Sequence, residues 1–375
     1  MITPKQRMLN AYNGVFSDRY PVAPELWYYY PAKVLGVSMI EFEREMPFWS
    51  ALKTTFEKYN CEGWGIAFPS ISNENLKTDV TLKKVSENQY LETTKANHNG
   101  NEFISEKMFD TEEPSWVTRH LAENISDLSK AIDMKLDHKN ILDYEDANRA
   151  HDGVGESYLL EMWLGVPFFD FIAELIGFQE AIMYFIEEDR DILLSYRARY
   201  IEYQKNFIKK VAENTRYESF MIGCSYSCNS LIGPNMWREW DKPYLAEMAD
   251  EIHKHNKLLH VHFHGRSIDT AEDFAEIGLD CVCPFERPPG GDIVGLEGLK
   301  EVRRKLGGRV TMNGNVHTVE TLIRGTADQV RKEVQEIKEA FQGEPRLIIG
   351  SGDQVGRETP EENLFAMIEE ACLLY

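Results

Sequence analysis

A chain of 375 residues with 41 Lys plus Arg against 62 Asp plus Glu carries a formal charge of −21. Nucleic acid and anionic membranes need clustered positive charge on a partner, so both are disfavoured. The balance of 43% hydrophobic and 27% charged residues is that of a soluble globular protein able to bury a full core.

The amino terminus, MITPKQRMLNAYNGVF, is mixed and polar and lacks the apolar stretch of a signal peptide. Six cysteines over this length do not make a disulfide framework, so reduced thiols and a cytoplasmic location are expected. PVAPE (21–25) is the first candidate strand, followed by the aromatic run Trp27, Tyr28, Tyr29 and Tyr30; WGIAF (64–68) is the second. Residues 79–108 depart from the pattern. Their period-two alternation around Asn99-Gly100 predicts an antiparallel meander, an excursion from the main fold.

SYLLEMW (157–163) is the third strand. The apolar stretch beginning inside it, LLEMWLGVPFFDFIAELIGF, is broken by Glu161, Asp170 and Glu174, which argues against a membrane span. SFMIGC (219–224), KLLHVHFH (257–264), LDCVCPF (279–285), GRVTMNG (308–314) and PRLIIG (345–350) complete eight. Helical patterns lie between them, clearest in DILLSYRARYIEYQKNFIKKVAENT, GPNMWREWDKPYLAEMADEIHKHN and TADQVRKEVQEIKEAFQ. Eight strands, each followed by helix, predict a single α/β domain over 1–375: a (β/α)8 TIM barrel with an N-terminal antiparallel excursion. A doubly wound open sheet is the alternative, but no glycine-rich phosphate loop follows any strand.

Three of the chain's ten histidines, His260, His262 and His264, alternate within LLHVHFHG. Strand side chains alternate faces, so all three point one way while Val261 and Phe263 point the other. In a barrel the histidines face the interior, with His262 and His264 near the carboxyl end where barrel sites are built and His260 one layer deeper. Two alternate histidines at a strand end can chelate one ion; a hydrogen-bonded polar core is the alternative. Neighbouring strand ends offer Cys283 and Glu286 from CPFERPPGGD, Asn315 and His317 from MNGNVHT, and Asp353 from GSGDQVGRETPEEN.

With these pieces in place the sequence resembles the uroporphyrinogen decarboxylase superfamily, in particular its corrinoid-dependent methyltransferase branch. The resemblance runs over nearly the whole chain, through TPKQRMLNAYNGVFSDRYPV, LIGPNMWREWDKPYLAEMADEIHKHNKLLHVHFHG, PPGGD, MNGN and ETPEEN. It implies the same barrel. Decarboxylases of the superfamily carry an arginine-rich stretch after the first strand to hold substrate carboxylates. Here PVAPELWYYYPAKVLG has none, which speaks against porphyrin decarboxylation. Methyltransferases of the branch bind zinc through His-x-Cys on the fifth strand and a Cys after the eighth. Aligned on those motifs, His262 keeps the histidine position, and His264 and Asp353 replace the two cysteines.

The resemblance therefore implies a Zn2+ held by His262, His264 and Asp353, completed by Cys283 or Glu286. Two imidazoles and one carboxylate leave a single net positive charge, a harder Lewis acid than a dithiolate site and better suited to an oxygen leaving group. The expected activity is transfer of a methyl group from a small donor, such as a methoxylated aromatic, to the Co(I) corrinoid of a separate carrier protein. Trp27, Tyr28, Tyr29 and Tyr30 are the candidate substrate-binding residues, or else aromatic packing over the barrel mouth. Glu286, His317 and Asn315 are candidates for orienting the substrate or protonating its leaving group. Methylcobamide-to-thiol transfer and metal-free decarboxylation are the alternatives, and a homodimer is left open.

Overall fold

A computed structural model describes residues 2–373. Its central sheet has seven parallel strands whose spatial order follows chain order: Trp64–Ala67, Leu159–Gly165, Ser219–Cys224, Leu258–Phe263, Cys281–Pro284, Thr311–Val316 and Leu347–Ser351. Helices intervene between most successive strands, as parallel pairing demands. The sheet is strongly curled. Trp64 and His260 lie on strands separated by two others, roughly 14 Å apart in a flat sheet at ~4.8 Å per spacing, yet their ring centroids are 5.0 Å apart.

The predicted strand over 21–25 does not join this sheet as a full strand. It makes an isolated parallel bridge, Val22 to Ile349. Ala23 N donates to Ile349 O at 2.9 Å, and Ile349 N donates to Pro21 O at 2.9 Å. Toward Trp64–Ala67 the contact runs through side chains: Trp27 Nε1 donates to Trp64 O (3.0 Å), and Val22 N donates to Glu62 (2.9 Å). Pro21 and Pro24 explain the short pairing, since neither has an N–H to give to a ladder. The fold is therefore a mixed α/β structure with a curled, TIM-like parallel sheet; the closed eight-strand ladder expected from sequence is not formed by its backbone pairing.

Helix Pro4–Tyr12 closes the amino-terminal end of the strands. Thr3 caps it by accepting from Gln6 N, and proline stands in its first turn, where a missing N–H costs nothing. Tyr12 is buried against His260 (ring centroids 5.7 Å apart), and Thr311 Oγ1 donates to Ala11 O at 2.8 Å. Below it, Glu62 pairs with Arg7 and Arg19.

On the outer face of the sheet, Phe263 meets Trp237 and Phe274 of the helices Gly233–Lys254 and Ala271–Ile277. Burying such a ring is worth about 1.5–3 kcal/mol. That fixes the register of the histidine strand: with Val261 and Phe263 committed outward, His260 and His262 must face in.

The excursion is larger than the sequence pattern marked. Four antiparallel strands, Leu76–Lys84, Gln89–His98, Asn101–Asp110 and Trp116–Arg119, form their own sheet, with Asn99 (φ 52°) and Gly100 (φ 85°) at the turn. A short antiparallel pair, Ser70–Ser72 with Ile141–Asp143, was not anticipated; three residues are too few to show a period. The apolar stretch after 158 divides into strand Leu159–Gly165 and helix Phe168–Ile176. Among the described residues no helix is long and apolar enough to cross a membrane.

Candidate metal centre

His262 sits near the carboxyl end of the inward face of its strand, 7% exposed, with His264 just beyond the strand. Their ring centroids are 4.4 Å apart. Asp353 follows the strand Leu347–Ser351 by two residues. His262, His264 and Asp353 each offer a ligand atom within 4.8 Å of the others. The three residues that the resemblance implied as metal ligands are thus brought together from two separate strand ends.

A fourth group, absent from the sequence reading, stands beside them. Glu25 is 8% exposed, and its carboxylate lies 3.9 Å from His262 Nδ1. Its backbone is fixed to the end of the last strand: Glu25 N donates to Ser351 Oγ (2.9 Å) and Val355 N donates to Glu25 O (3.0 Å). Glu25 ends the first candidate strand, at the same rim as the histidines. A carboxylate in that position was a usable signal, masked by the aromatic run that follows it.

Glu286 and Cys283 take supporting positions. Glu286 Oε1 accepts from His264 Nδ1 (3.0 Å) and from Gly265 N (2.9 Å), so it orients the His264 ring without engaging Nε2. Cys283 Sγ lies between His260 Nε2 (3.0 Å) and His262 Nδ1 (3.3 Å), below the rim. Burial, helped by the negative charge of Glu25, pushes its thiol well above the usual range.

The electrostatics suit a cation. Burial raises Glu25 well above the ordinary carboxyl range, and the negative charges of Asp353 and Glu286 add to it. Asp353 is also raised, by burial, against the pull of His264. His262 is driven well below 6.5 by burial and by the neighbouring histidines, which keeps it a neutral imidazole as a metal ligand must be. Burial opposes charge on His264 too, but Glu286 and Asp353 outweigh it and hold its pKa above 6.5. Among the described residues, Glu25, Glu286 and Asp353 pair with histidine and with no lysine or arginine. His262 Nε2 is buried without a hydrogen-bond partner. Three carboxylates lacking a positive partner, beside two imidazoles of which one keeps an unpartnered buried nitrogen, fit a divalent cation.

The remaining predicted residues lie outside this cluster or are committed to the framework. Both ring nitrogens of His317 are engaged: Nδ1 accepts from Val319 N and Glu320 N, capping the turn after its strand, and Nε2 lies 2.8 Å from Pro288 O. It therefore braces two loops. Asn315 is fully buried and donates through Nδ2 to Phe285 O (2.8 Å), while its Oδ1 has no partner.

The aromatic run does not form one surface, because it enters helix Tyr29–Leu35 and its rings fan out. Trp27 packs on Trp64 and Phe48, and Tyr30 is buried on Tyr59. Tyr29 donates to Glu113 (2.8 Å) under the guanidinium of Arg357. Of the four, Tyr28 is the one on which Glu25 acts, its phenol raised by burial and then by Glu43 and Glu25.

Comparison with known proteins places the second half of the sequence. The family model described as uroporphyrinogen decarboxylase (URO-D) matches residues 194–372, from helix Arg190–Asn214 to the last helix. Over these residues the chain is similar to the uroporphyrinogen decarboxylase family. They contribute His262, His264, Glu286 and Asp353, whereas Glu25 comes from outside the match. A solved structure described as a methyltransferase from Methanosarcina mazei is similar over 99% of this chain and 98% of its own, with a TM-score of 0.65 and 16% identity. At this identity the likeness is one of fold alone, and it runs over the whole chain. An uncharacterized protein matches at 13% identity over 46% of this chain and 44% of its own; its TM-score of 0.26 is too low to bear on the fold. No curated protein matches the sequence.

Proposed function

We propose that the protein is a zinc-dependent methyltransferase that moves a methyl group from a small O-methyl donor, such as a methoxylated aromatic, to the Co(I) corrinoid of a partner protein. The observation that carries the reading is the convergence of ligand atoms of His262, His264 and Asp353 within 4.8 Å, together with a buried, unpartnered Nε2 on His262. Zn2+ would be held by those three residues and by Glu25, and when bound it supplies Lewis acidity toward the leaving group. With Glu25 as a ligand the second carboxylate cancels the net positive charge inferred from sequence. The preference for an oxygen leaving group then rests on hard oxygen donors in place of thiolates.

The chain's own residues supply orientation and a dry floor. Glu286 holds the His264 ring; Trp64, packed edge-on to His260 and tilted against His262, keeps water from the lower layer. Tyr28, half-buried and within the field of Glu25, is the phenol we assign to meet a donor's leaving group. We take the 21–25 segment to complete a (β/α)8 barrel, its bridge to Ile349 supplying one seam and side chains the other.

The test has two parts. Metal analysis of the purified protein should find about one zinc per chain, lost in His262→Ala. Mixing the protein with a reduced corrinoid carrier and a panel of methoxylated aromatics, methylamines and methylthiols should convert Co(I) to methyl-Co(III) with an O-methyl donor. Zinc absent from the wild-type protein, or methyl transfer that survives His262→Ala, would refute the assignment.

A further inference from the structure

Beneath the metal cluster runs a line of buried polar groups for which the proposed reaction has no use. Glu161 on strand Leu159–Gly165 is fully buried. Its Oε1 accepts from Tyr12 Oη at 3.4 Å, and its Oε2 lies 2.8 Å from His260 Nδ1. His260, also fully buried, presents Nε2 to Cys283 Sγ at 3.0 Å, and the same sulfur meets His262 Nδ1 at 3.3 Å. The line ends at His262 Nε2, which has no partner. Trp64, 2% exposed, flanks both histidines, with centroids 5.0 Å from His260 and 5.8 Å from His262.

We propose that Glu161, His260 and Cys283 form a directed hydrogen-bond relay that keeps the proton of His262 on Nδ1 and so leaves the lone pair of its unpartnered Nε2 free to bind an ion. The direction follows from donor and acceptor counts. A carboxylate accepts only, and both oxygens of Glu161 face donors, so His260 carries its proton on Nδ1. With a single proton on that ring, its Nε2 is an acceptor and takes the Cys283 S–H. With its hydrogen spent there, the sulfur can only accept from His262, which places that proton on Nδ1.

Running the line backwards would put a proton on Glu161 or a second one on His260, and would leave a buried N–H on His262 without an acceptor, at a cost of about 1–3 kcal/mol. Glu161, His260 and Cys283 are thus positioning residues. The inference deepens the metal-centre reading and rests on it for the relay's purpose, while the proton order can be measured without metal.

The experiment uses the full-length protein labelled with 15N-histidine and stripped of metal, at neutral pH, with His262→Ala identifying the His262 signals. Two-bond 15N–1H correlations should show the Nδ1–H tautomer in the wild type. Cys283→Val and His260→Gln should shift His262 to a mixture or to Nε2–H, and Cys283→Ser should restore Nδ1–H. Zinc affinity, by competition with a chromophoric chelator, should fall about 10- to 100-fold in Cys283→Val and recover in Cys283→Ser. A merely structural role would lower melting temperatures without moving the tautomer.

An Nε2–H tautomer in the wild type, or a tautomer unmoved by both Cys283→Val and His260→Gln, overturns the relay. An Nδ1–H tautomer in a protein that takes up no zinc upholds the relay and sinks the metal reading.

Discussion

Glu286 offers the sharpest test of the metal centre because it touches a proposed ligand without being one. Its Oε1 receives two donors, His264 Nδ1 and Gly265 N. In Glu286→Gln the amide oxygen can accept both bonds, so the shape survives and the charge is lost. In Glu286→Ala both donors lose their partner. Removing such a supporting group costs about 10- to 100-fold in metal affinity, or about 1.4–2.7 kcal/mol at 1.36 kcal/mol per tenfold. Glutamine should fall near the lower end and alanine near the upper.

The pH dependence adds an independent sign. Glu286 and Asp353 hold His264 above 6.5, so a proton competes with zinc for this ring as the pH falls through that raised value. Without the Glu286 charge the competition should begin at lower pH, and the gap between wild type and Glu286→Gln should narrow in acid. Chelator competition over a pH series measures both effects. Affinities of wild type and Glu286→Ala within twofold of each other, or pH midpoints that coincide in wild type and Glu286→Gln, would refute the reasoning.

Two further outcomes follow from groups already described. Glu25 and Asp353 have pKa values raised above their ordinary 4.5 and 3.8, and His264 above 6.5, so the folded metal-free protein binds protons more tightly than the unfolded chain at all three. Their joint contribution should therefore be lost as pH rises from the ordinary carboxyl range through the raised His264 value. His262, lowered well below 6.5, offsets part of this decline because its contribution grows as pH rises toward 6.5, so the decline is read as the stability difference between the stripped wild type and Glu25→Gln, which should fall as pH rises; a difference insensitive to pH across that window would count against the carboxylate cluster. At the opposite end of the sheet, Glu62 is buried between Arg7 and Arg19 and also accepts from Val22 N. Glu62→Ala leaves Arg19 without its counter-ion and Arg7 with Asp18 alone, and should cost about 3–5 kcal/mol in urea unfolding; a loss below about 1 kcal/mol would show that water and Asp18 suffice.

By itself the sequence determined the alternation of strand and helix, the inward face of LLHVHFHG and the rim position of Asp353. These follow from local rules: period two within a strand, caps and prolines at helix ends, and the polarity of βα units. It also marked an excursion, although short edges such as Ser70–Ser72 carry too little pattern to be seen. What only tertiary structure decided was which polar groups meet. Glu25 reaches the histidines because Pro21–Ala23 bridges to Ile349 and carries the end of that segment to the last strand, a contact more than 300 residues long in sequence. His317 is drawn into capping because the N–H groups of Val319 and Glu320 need an acceptor, and the aromatic run divides because a helical turn sends successive side chains in different directions. Periodicity fixes a side chain's face. Its partner is set by the curl of the sheet, which no local pattern encodes.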